Sequence, residues 1–305
     1  MVRKRYANLN GTSNLNTTKD LFKWQNERRK KKKDLSYSVP QSMNKQIDYL
    51  QLNRKDSTIT WIGHSSFFIQ QNGLNIITDI VWAKRMGFDI RLSEPGLTSD
   101  QLPEIDVVLI SHSHYDHLDI PSLKKLKGSP IYLVPIGLKN VFTRKKLLPV
   151  EEFSWWEKTT IQDITFTFVP AQHWTKRTLT DTNTSHWGGW IIEGMENTIY
   201  FAGDSGYFEG FKNIGKHRAI DYALIPIGAY EPEWFMSSQH INPEEAVKVF
   251  LDVRAKYFIP MHYGAFRLAD DTPKEAVDRL MKAWEKEKLD PSSLIMLSLG
   301  ETLKI

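Results

Sequence analysis

The sequence predicts a layered α/β protein, with sheets inside and helices outside. Three observations lead there. Apolar stretches of strand length, rich in Ile, Val, Phe and Trp, recur from residue 58 onward. Helix-start signals are interleaved with them, and the side chains with metal-binding chemistry sit where the strands end.

Thr58 to Gln70 is rich in Ile, Thr, Trp and Phe and leads through Asn72-Gly73 into Leu74 to Thr78, a hairpin signal. Residues 80–104 read as loop, with Gly87, Pro95, Gly96 and Pro103. Asp106 to Ser111 reads as a buried strand, followed by a histidine-rich turn and a short helix near Ile120 to Leu126. Strands are expected at Ile131 to Val134 and, one or two of them, across Ile161 to Val169. Trp190 to Glu193 and Thr198 to Phe201 read as a hairpin, and Tyr222 to Ile227 as a buried strand. Asn242-Pro243-Glu244-Glu245 combines an Asn cap, Pro at the first helical position and acids in the first turn, and starts a helix to about Asp252. A strand at Tyr257 to Ile259, a helix over Pro273 to Lys286 and a closing strand at Leu294 to Leu297 complete the prediction.

The chain has 305 residues, 41% hydrophobic and 25% charged, enough for a sizeable core. Aromatics at 12% and a net charge of +4 exclude disorder over most of the length. No apolar run reaches membrane-spanning length, and Met1 to Asn16 is basic and polar, so neither a spanning helix nor a secretory signal is expected. With no cysteine, disulfides, thiol nucleophiles, thiolate zinc sites and iron–sulfur clusters are excluded together. Any metal must be held by His and carboxylate, and a cytoplasmic location is the expectation.

Residues 1–50 read as a basic N-terminal extension and 51–305 as the functional body. Residues 1–40 hold eleven Lys/Arg against three Asp/Glu, whereas the remainder holds 29 against 33. The dense run Arg28 to Lys33 follows Leu21, Phe22 and Trp24. It reads either as a solvated, partly helical tail or as a peripheral contact with an anionic bilayer, where each basic residue contributes about 1 kcal/mol. Nucleic acid is disfavoured as a partner, because the body lacks a basic surplus.

The central signal is His112-Ser113-His114-Tyr115-Asp116-His117, directly after a buried strand. On an extended stretch, positions two apart point the same way, so His112 and His114 can grip one ion together. Asp116 and His117, past the turn, can face a second. The further strand-end candidates are His173, Asp204 and His262. Assigned by type, one site is His112, His114 and His173 and the other Asp116, His117 and His262. Asp204 bridges them, since a carboxylate has two oxygens. Such His/Asp sites suit two Zn²⁺ ions, with Fe or Mn as alternatives.

H-x-H-x-D-H, followed at a distance by a lone His, an Asp and a last His, resembles the metallo-β-lactamase superfamily. That resemblance implies a four-layer αββα sandwich over residues 51–305, with the site at one edge of the paired sheets. Trp61-Ile62-Gly63-His64, LISHSHYDHLD, QHWTKRTLTD, WGGW, FAGDSGY, IPIGAYEPEWFM and QHINPEEAV resemble, more narrowly, the N-acylphosphatidylethanolamine-hydrolysing phospholipase D group and its bacterial relatives. The resemblance covers roughly residues 58–268. It implies a phosphodiesterase acting on a phospholipid, and a homodimer.

The mechanism expected has two cations about 3.5–4 Å apart generating a bridging hydroxide that attacks phosphorus. No Gly-x-Ser-x-Gly elbow competes with it. Asp116 and Asp204 are the carboxylates expected at the reacting centre, with Asp204 accepting the water proton, and the resemblance makes His240 a substrate-side or proton-donating residue. Asp79 is expected to hold a ligand histidine from behind. His64 either hydrogen-bonds near the metals or is a core histidine. Lys176 and Arg177 are candidates for meeting a phosphate, while His186 and His217 read as surface residues. Trp174, Trp187, Trp190 and Trp234, with Phe235 and Met236, are candidates to wall an acyl channel. A lactone or cyclic-ester hydrolase, a nuclease, and a non-catalytic metal- or lipid-binding protein are the competing readings.

Overall fold

The computed structural model describes residues 4–11, 16–87 and 89–305. Helices α1 (Thr18–Lys30) and α2 (Ile47–Leu52) lead into strands β1 (Thr58–Gly63), β2 (Ser66–Gln71) and β3 (Leu74–Thr78). A two-stranded ribbon, β4 (Arg85–Met86) and β5 (Asp89–Ile90), interrupts the loop before β6 (Val107–Leu109). Next come α3 (Ile120–Leu123), β7 (Ile131–Pro135), α4 (Lys139–Lys145) and β8 (Val150–Phe153). The second half runs β9 (Lys158–Ile161), β10 (Ile164–Val169), β11 (Gly189–Glu193), β12 (Thr198–Phe201), α5 (Gly210–His217), β13 (Ile220–Pro226), α6 (Glu233–Met236), α7 (Pro243–Val253), β14 (Ala255–Met261) and α8 (Pro273–Lys286). A final strand, β15 (Thr302–Lys304), returns to the first sheet.

The strands form a sheet ordered β15-β1-β2-β3-β6-β7-β8 and another ordered β14-β13-β12-β11-β10-β9. Both are mixed: β3, β6, β7 and β8 run parallel, as do β12, β13 and β14, and the other pairs are antiparallel. Alternation along the first sheet assigns its two faces. Phe67, Ile69, Ile76, Val107, Leu109 and Leu133 join the cluster that includes Phe166, Phe168, Trp190 and Phe201 of the second sheet. Their neighbours Phe68, Ile77, Val108, Tyr132 and Val134 face the other way and pack with Leu50 of α2, Leu123 of α3 and Phe142 of α4. Helices α5, α7 and α8 contribute Phe211, Ile214, Val247, Phe250, Leu280 and Trp284 on the second sheet's side. The layers are therefore helix, sheet, sheet, helix, the expected four-layer αββα sandwich. Each large side chain buried this way contributes about 1.5–3 kcal/mol.

Local chemistry explains the element ends. Asn72 and Gly73 both take positive φ, 47° and 79°, and close the β2–β3 hairpin with Gln71 opposite Leu74. Asn242 accepts from the Glu245 N–H at 2.8 Å while the Glu245 carboxylate accepts from the Asn242 N–H at 3.1 Å, a reciprocal cap on α7. Thr272 and Glu275 repeat the device on α8.

Three expectations shift. The helix expected over Ile120 to Leu126 stops at Leu123, because Lys125 and Leu126 bond to carbonyls three residues back and tighten into turns. Leu294 to Leu297 is not a strand: Leu294 makes one bridge to Phe258, and the closing strand is Thr302–Lys304, which pairs with the free edge of β1. Ile161 to Val169 resolves into β9 and β10, paired antiparallel.

The described part of residues 4–50 lies against the body. Asn8 accepts from the His173 N–H at 3.0 Å and the Trp187 Nε1–H at 3.0 Å. Arg28 sits 3.6 Å from Asp270, Lys33 pairs with Glu231 and Glu275 at 3.1 and 2.6 Å, and Val39 is buried in the main core. The two ends of the basic run thus turn inward, while Arg29, Lys30, Lys31 and Lys32 remain exposed. No described helix is long and apolar enough to cross a membrane.

Candidate metal centre

Almost every donor follows the C-terminal end of a strand. His64 follows β1, Asp79 follows β3, the His112–His117 turn follows β6, and His173, Asp204 and His262 follow β10, β12 and β14. Strands fixed by two packed sheets hold their ends at set separations, which makes such ends rigid supports. The backbone is strained there. His64, Asp79 and His262 have positive φ of 55°, 32° and 61°, a conformation that costs roughly 1–3 kcal/mol in a non-glycine residue and clusters at functional sites. Gly203 (φ 63°) precedes Asp204, and a Cβ there would lie 2.7 Å from both the Gly188 carbonyl oxygen and the Ser111 Cβ, so only glycine lets the β12 end approach the histidine turn.

The donors form two nests. In the first, His112 Nε2 lies 2.9 Å and His173 Nε2 3.1 Å from His114 Nδ1. In the second, Asp116 Oδ2 lies 3.1 Å from His64 Nε2, 3.4 Å from His117 Nε2 and 3.6 Å from His262 Nε2. Asp204 stands between them. Its Oδ2 is 3.1 Å from His262, 3.2 Å from His117, 3.9 Å from His112, 3.8 Å from His240 and 4.0 Å from His173. Seven of the nine histidines of the chain meet in this one place.

Asp79 sits behind the nests. It is fully buried, receives the Ser111 N–H at 2.8 Å and the Ser111 hydroxyl at 2.5 Å, and lies 2.7 Å from His117 Nδ1. The Gln239 carbonyl likewise takes the His173 Nδ1 side at 2.9 Å. Both contacts orient the rings with Nε2 toward the nest.

The electrostatics follow from burial and two carboxylates. Burial drives His112 and His173 well below the ordinary histidine range, His114 and His240 to about 4, and His64 to about 3. Burial also opposes charge on His117 and His262, but Asp204 and Asp116 outweigh it. His262 rises to about 9 and His117 is raised strongly. The charge on His117 in turn holds Asp116 and Asp204 well below the usual carboxylate range in spite of their burial.

Such a cage suits a cation. Among the described residues, His114 Nε2 and Asp204 Oδ1 are buried with no hydrogen-bond partner. Each unsatisfied group of this kind costs about 1–3 kcal/mol. Imidazole and carboxylate donors, with no thiolate, are the set that Zn²⁺, Fe and Mn accept. The residues present fit a divalent metal.

An apolar cavity of about 470 Å³ opens above the cage. His114 and His240 line it, with Trp174, Phe235, Met236 and Leu268 among its walls. Exposed Lys176 also lines it. Other expected residues lie elsewhere. The Arg177 guanidinium donates to the backbone carbonyls of Ser113 at 2.7 Å and Leu118 at 2.8 Å and stacks over Tyr115 at 4.1 Å, so it braces the histidine turn and its donors are not turned to a phosphate. Trp187 and Trp190 are core residues whose indole N–H groups are spent on the Ala171 and Ile110 carbonyls. Trp234 is 43% exposed and outside the cavity lining. His186 is buried, not at the surface, packed between Tyr6 and Trp155 at 4.6 and 4.0 Å. His217 is exposed. Sequence reasoning missed Ser111, whose place between His112 and Asp79 was signalled only by its adjacency to the motif. It also missed Gln239, which acts through its backbone and leaves no sequence signal.

The β-lactamase superfamily domain matches residues 74–263, from the start of β3 to the residue after His262. The chain is 37% identical over 265 residues to N-acyl-phosphatidylethanolamine-hydrolyzing phospholipase D 1 of Caenorhabditis elegans, covering 79% of this chain and 74% of that protein. It is 35% identical over 239 residues to the mitochondrial N-acyl-phosphatidylethanolamine-hydrolyzing phospholipase D of Saccharomyces cerevisiae, covering 72% of this chain and 51% of that one. A metallo hydrolase from the archaeon Ignicoccus hospitalis shares the fold, with a TM-score of 0.62 at 21% identity over 82% of this chain and 99% of its own.

Proposed function

The chain belongs to the β-lactamase superfamily and is a metal-dependent hydrolase, and on that premise we propose that it cleaves the phosphodiester of an N-acylated phosphatidylethanolamine to release phosphatidic acid. The observation that carries this reading is a donor cage opening directly into an apolar cavity, with His114 and His240 common to both. A phospholipid needs both features: charged chemistry at the headgroup and dry surface for its chains.

In this reading His112, His114 and His173 on one side and Asp116, His117 and His262 on the other would hold two divalent cations, Zn²⁺ with Fe or Mn as alternatives, and Asp204 would serve both groups. When bound, such cations supply Lewis acidity, which lowers the pKa of water toward neutrality and offsets charge developing on the phosphoryl oxygens. The protein's own groups do the rest. Asp79 and the Gln239 carbonyl orient His117 and His173. Asp204 takes a proton from the attacking water as the new P–O bond forms and the bond to the ethanolamine oxygen breaks. His240 Nδ1 lies 3.8 Å from Asp204, beyond a direct hydrogen bond but within reach through one water, and in this reading the imidazole relays that proton to the departing oxygen. Burial keeps His240 neutral at pH 7, the form that accepts on one nitrogen and donates from the other. Exposed Arg29 to Lys32 offer the contact with an anionic bilayer.

The test is phosphorus NMR of vesicles containing N-acyl phosphatidylethanolamine, coupled to metal analysis of the purified protein. Phosphatidic acid and two ions per chain are expected, with no turnover after metal removal. Hydrolysis of a simple lactone with no phosphodiester turnover would instead identify an ester hydrolase.

A further inference from the structure

The cavity above the cage is closed partly by a segment outside the matched superfamily residues. Leu21 and Trp24, three residues apart on one face of α1, line it together with Phe235, Met236 and Leu268. The Trp24 ring stacks on Phe235 with centroids 4.9 Å apart, and the Asn16 side-chain amide donates to the Phe235 carbonyl at 2.9 Å. Arg28, one turn on, donates to the Arg267 carbonyl at 3.0 Å. α1 buries none of its residues fully. Its placement therefore adds little to the core of the fold. What its apolar pair does is finish an apolar surface that leads to the donors. The indole N–H of Trp24 is itself buried with no acceptor among the described residues.

We infer that α1 forms the wall that recognises one fatty chain of the substrate, and that Leu21 and Trp24 are specificity-determining residues. The inference rests on the lipid phosphodiesterase reading for the identity of the substrate. The chain meets the cavity through carbon alone, so recognition scales with chain length, at about a factor of three to four per methylene buried. Phe22, the neighbour of Leu21, points away from this role: it is exposed and absent from the lining.

The experiment uses the full-length metal-loaded protein with Leu21→Gln, Trp24→Ala, Trp24→Phe and, as control, Phe22→Ser. The first readout is kcat/KM on N-acyl phosphatidylethanolamines with short and long N-acyl chains, presented in neutral detergent micelles. Leu21→Gln and Trp24→Ala are expected to lower the long-to-short selectivity about tenfold, through KM. Trp24→Phe keeps the wall and is expected to stay within about threefold of the parent, and Phe22→Ser to leave the ratio unchanged. The second readout is binding of 11-(dansylamino)undecanoic acid, weakened about tenfold by Leu21→Gln whether or not any lipid is hydrolysed. If the parent turns over no lipid, the functional reading falls while the probe still tests the wall. Equal losses on short and long chains, with probe binding unaltered, would overturn the inference.

Discussion

The two sides of the cavity are built on opposite principles. The donor side is a set of strand ends, buried, strained in backbone and locked by contacts such as Asp79 with His117 and Ser111. The α1 side is a helix with no fully buried residue, held by one stacked indole and by ion pairs from Arg28 and Lys33. The donor side cannot move without abandoning the geometry that its chemistry needs. The helical side can adjust, because what it offers an apolar chain is area and not direction. The superfamily match covers the donors from Asp79 to His262 and leaves out α1 and His64.

That contrast can be broken from either side. The largest effect is expected from Asp204→Ala or His112→Ala, which should lose bound metal by elemental analysis and at least a hundredfold in turnover, since even outer-shell partners cost about 10–100-fold. Asp79→Asn should come next, weakening metal affinity by about 10–100-fold in a chelator competition while the αββα fold persists by circular dichroism. On the other side, raising the salt from about 0.01 to 1 M shrinks the screening length from about 30 to 3 Å. Proteolysis within α1 should speed up as the partly exposed Lys33 pairs weaken, with metal content unchanged. If both walls responded to salt alike, the contrast would be wrong.

The smallest effect concerns His186, which stacks on Tyr6 of the N-terminal arm. Burial lowers its pKa to about 4, against about 6.5 in the unfolded chain. As pH falls from 6.5 to 4 the unfolded chain takes up the proton first, so stability falls across that window. The change in thermal midpoint between pH 7 and 4.5 should be smaller in His186→Gln than in the parent.

Much of the site was legible in the chain itself. His112, His114, Asp116 and His117 stand within six residues after an apolar strand, and His173, Asp204 and His262 each follow another. The structure brings all seven together. Strand ends announce themselves because a continuous run of buried, mostly apolar residues stops where polar donors begin. The role of Arg177 was not legible: a guanidinium near a donor looks the same in sequence whether it serves a phosphate or three carbonyls. His186 and the core tryptophans failed for a related reason, since burial of an isolated residue depends on what packs over it, here Tyr6 and Trp155. Leu294 to Leu297 failed because apolarity marks burial without supplying a ladder partner.

By itself, the sequence determined the kinds of donor, the absence of thiolate, the capped start of α7 and the apolar runs that form the buried strands. Each of these depends on side chains a few positions apart. Only the tertiary structure decided that His64 would meet Asp116, that Gln239 would hold His173 through its backbone, and that Leu21 and Trp24 would close a cavity 90 or more residues away in sequence at His114. Those contacts come from packing two sheets and a helical arm, and no local preference encodes a distance between segments that meet only once the core has formed.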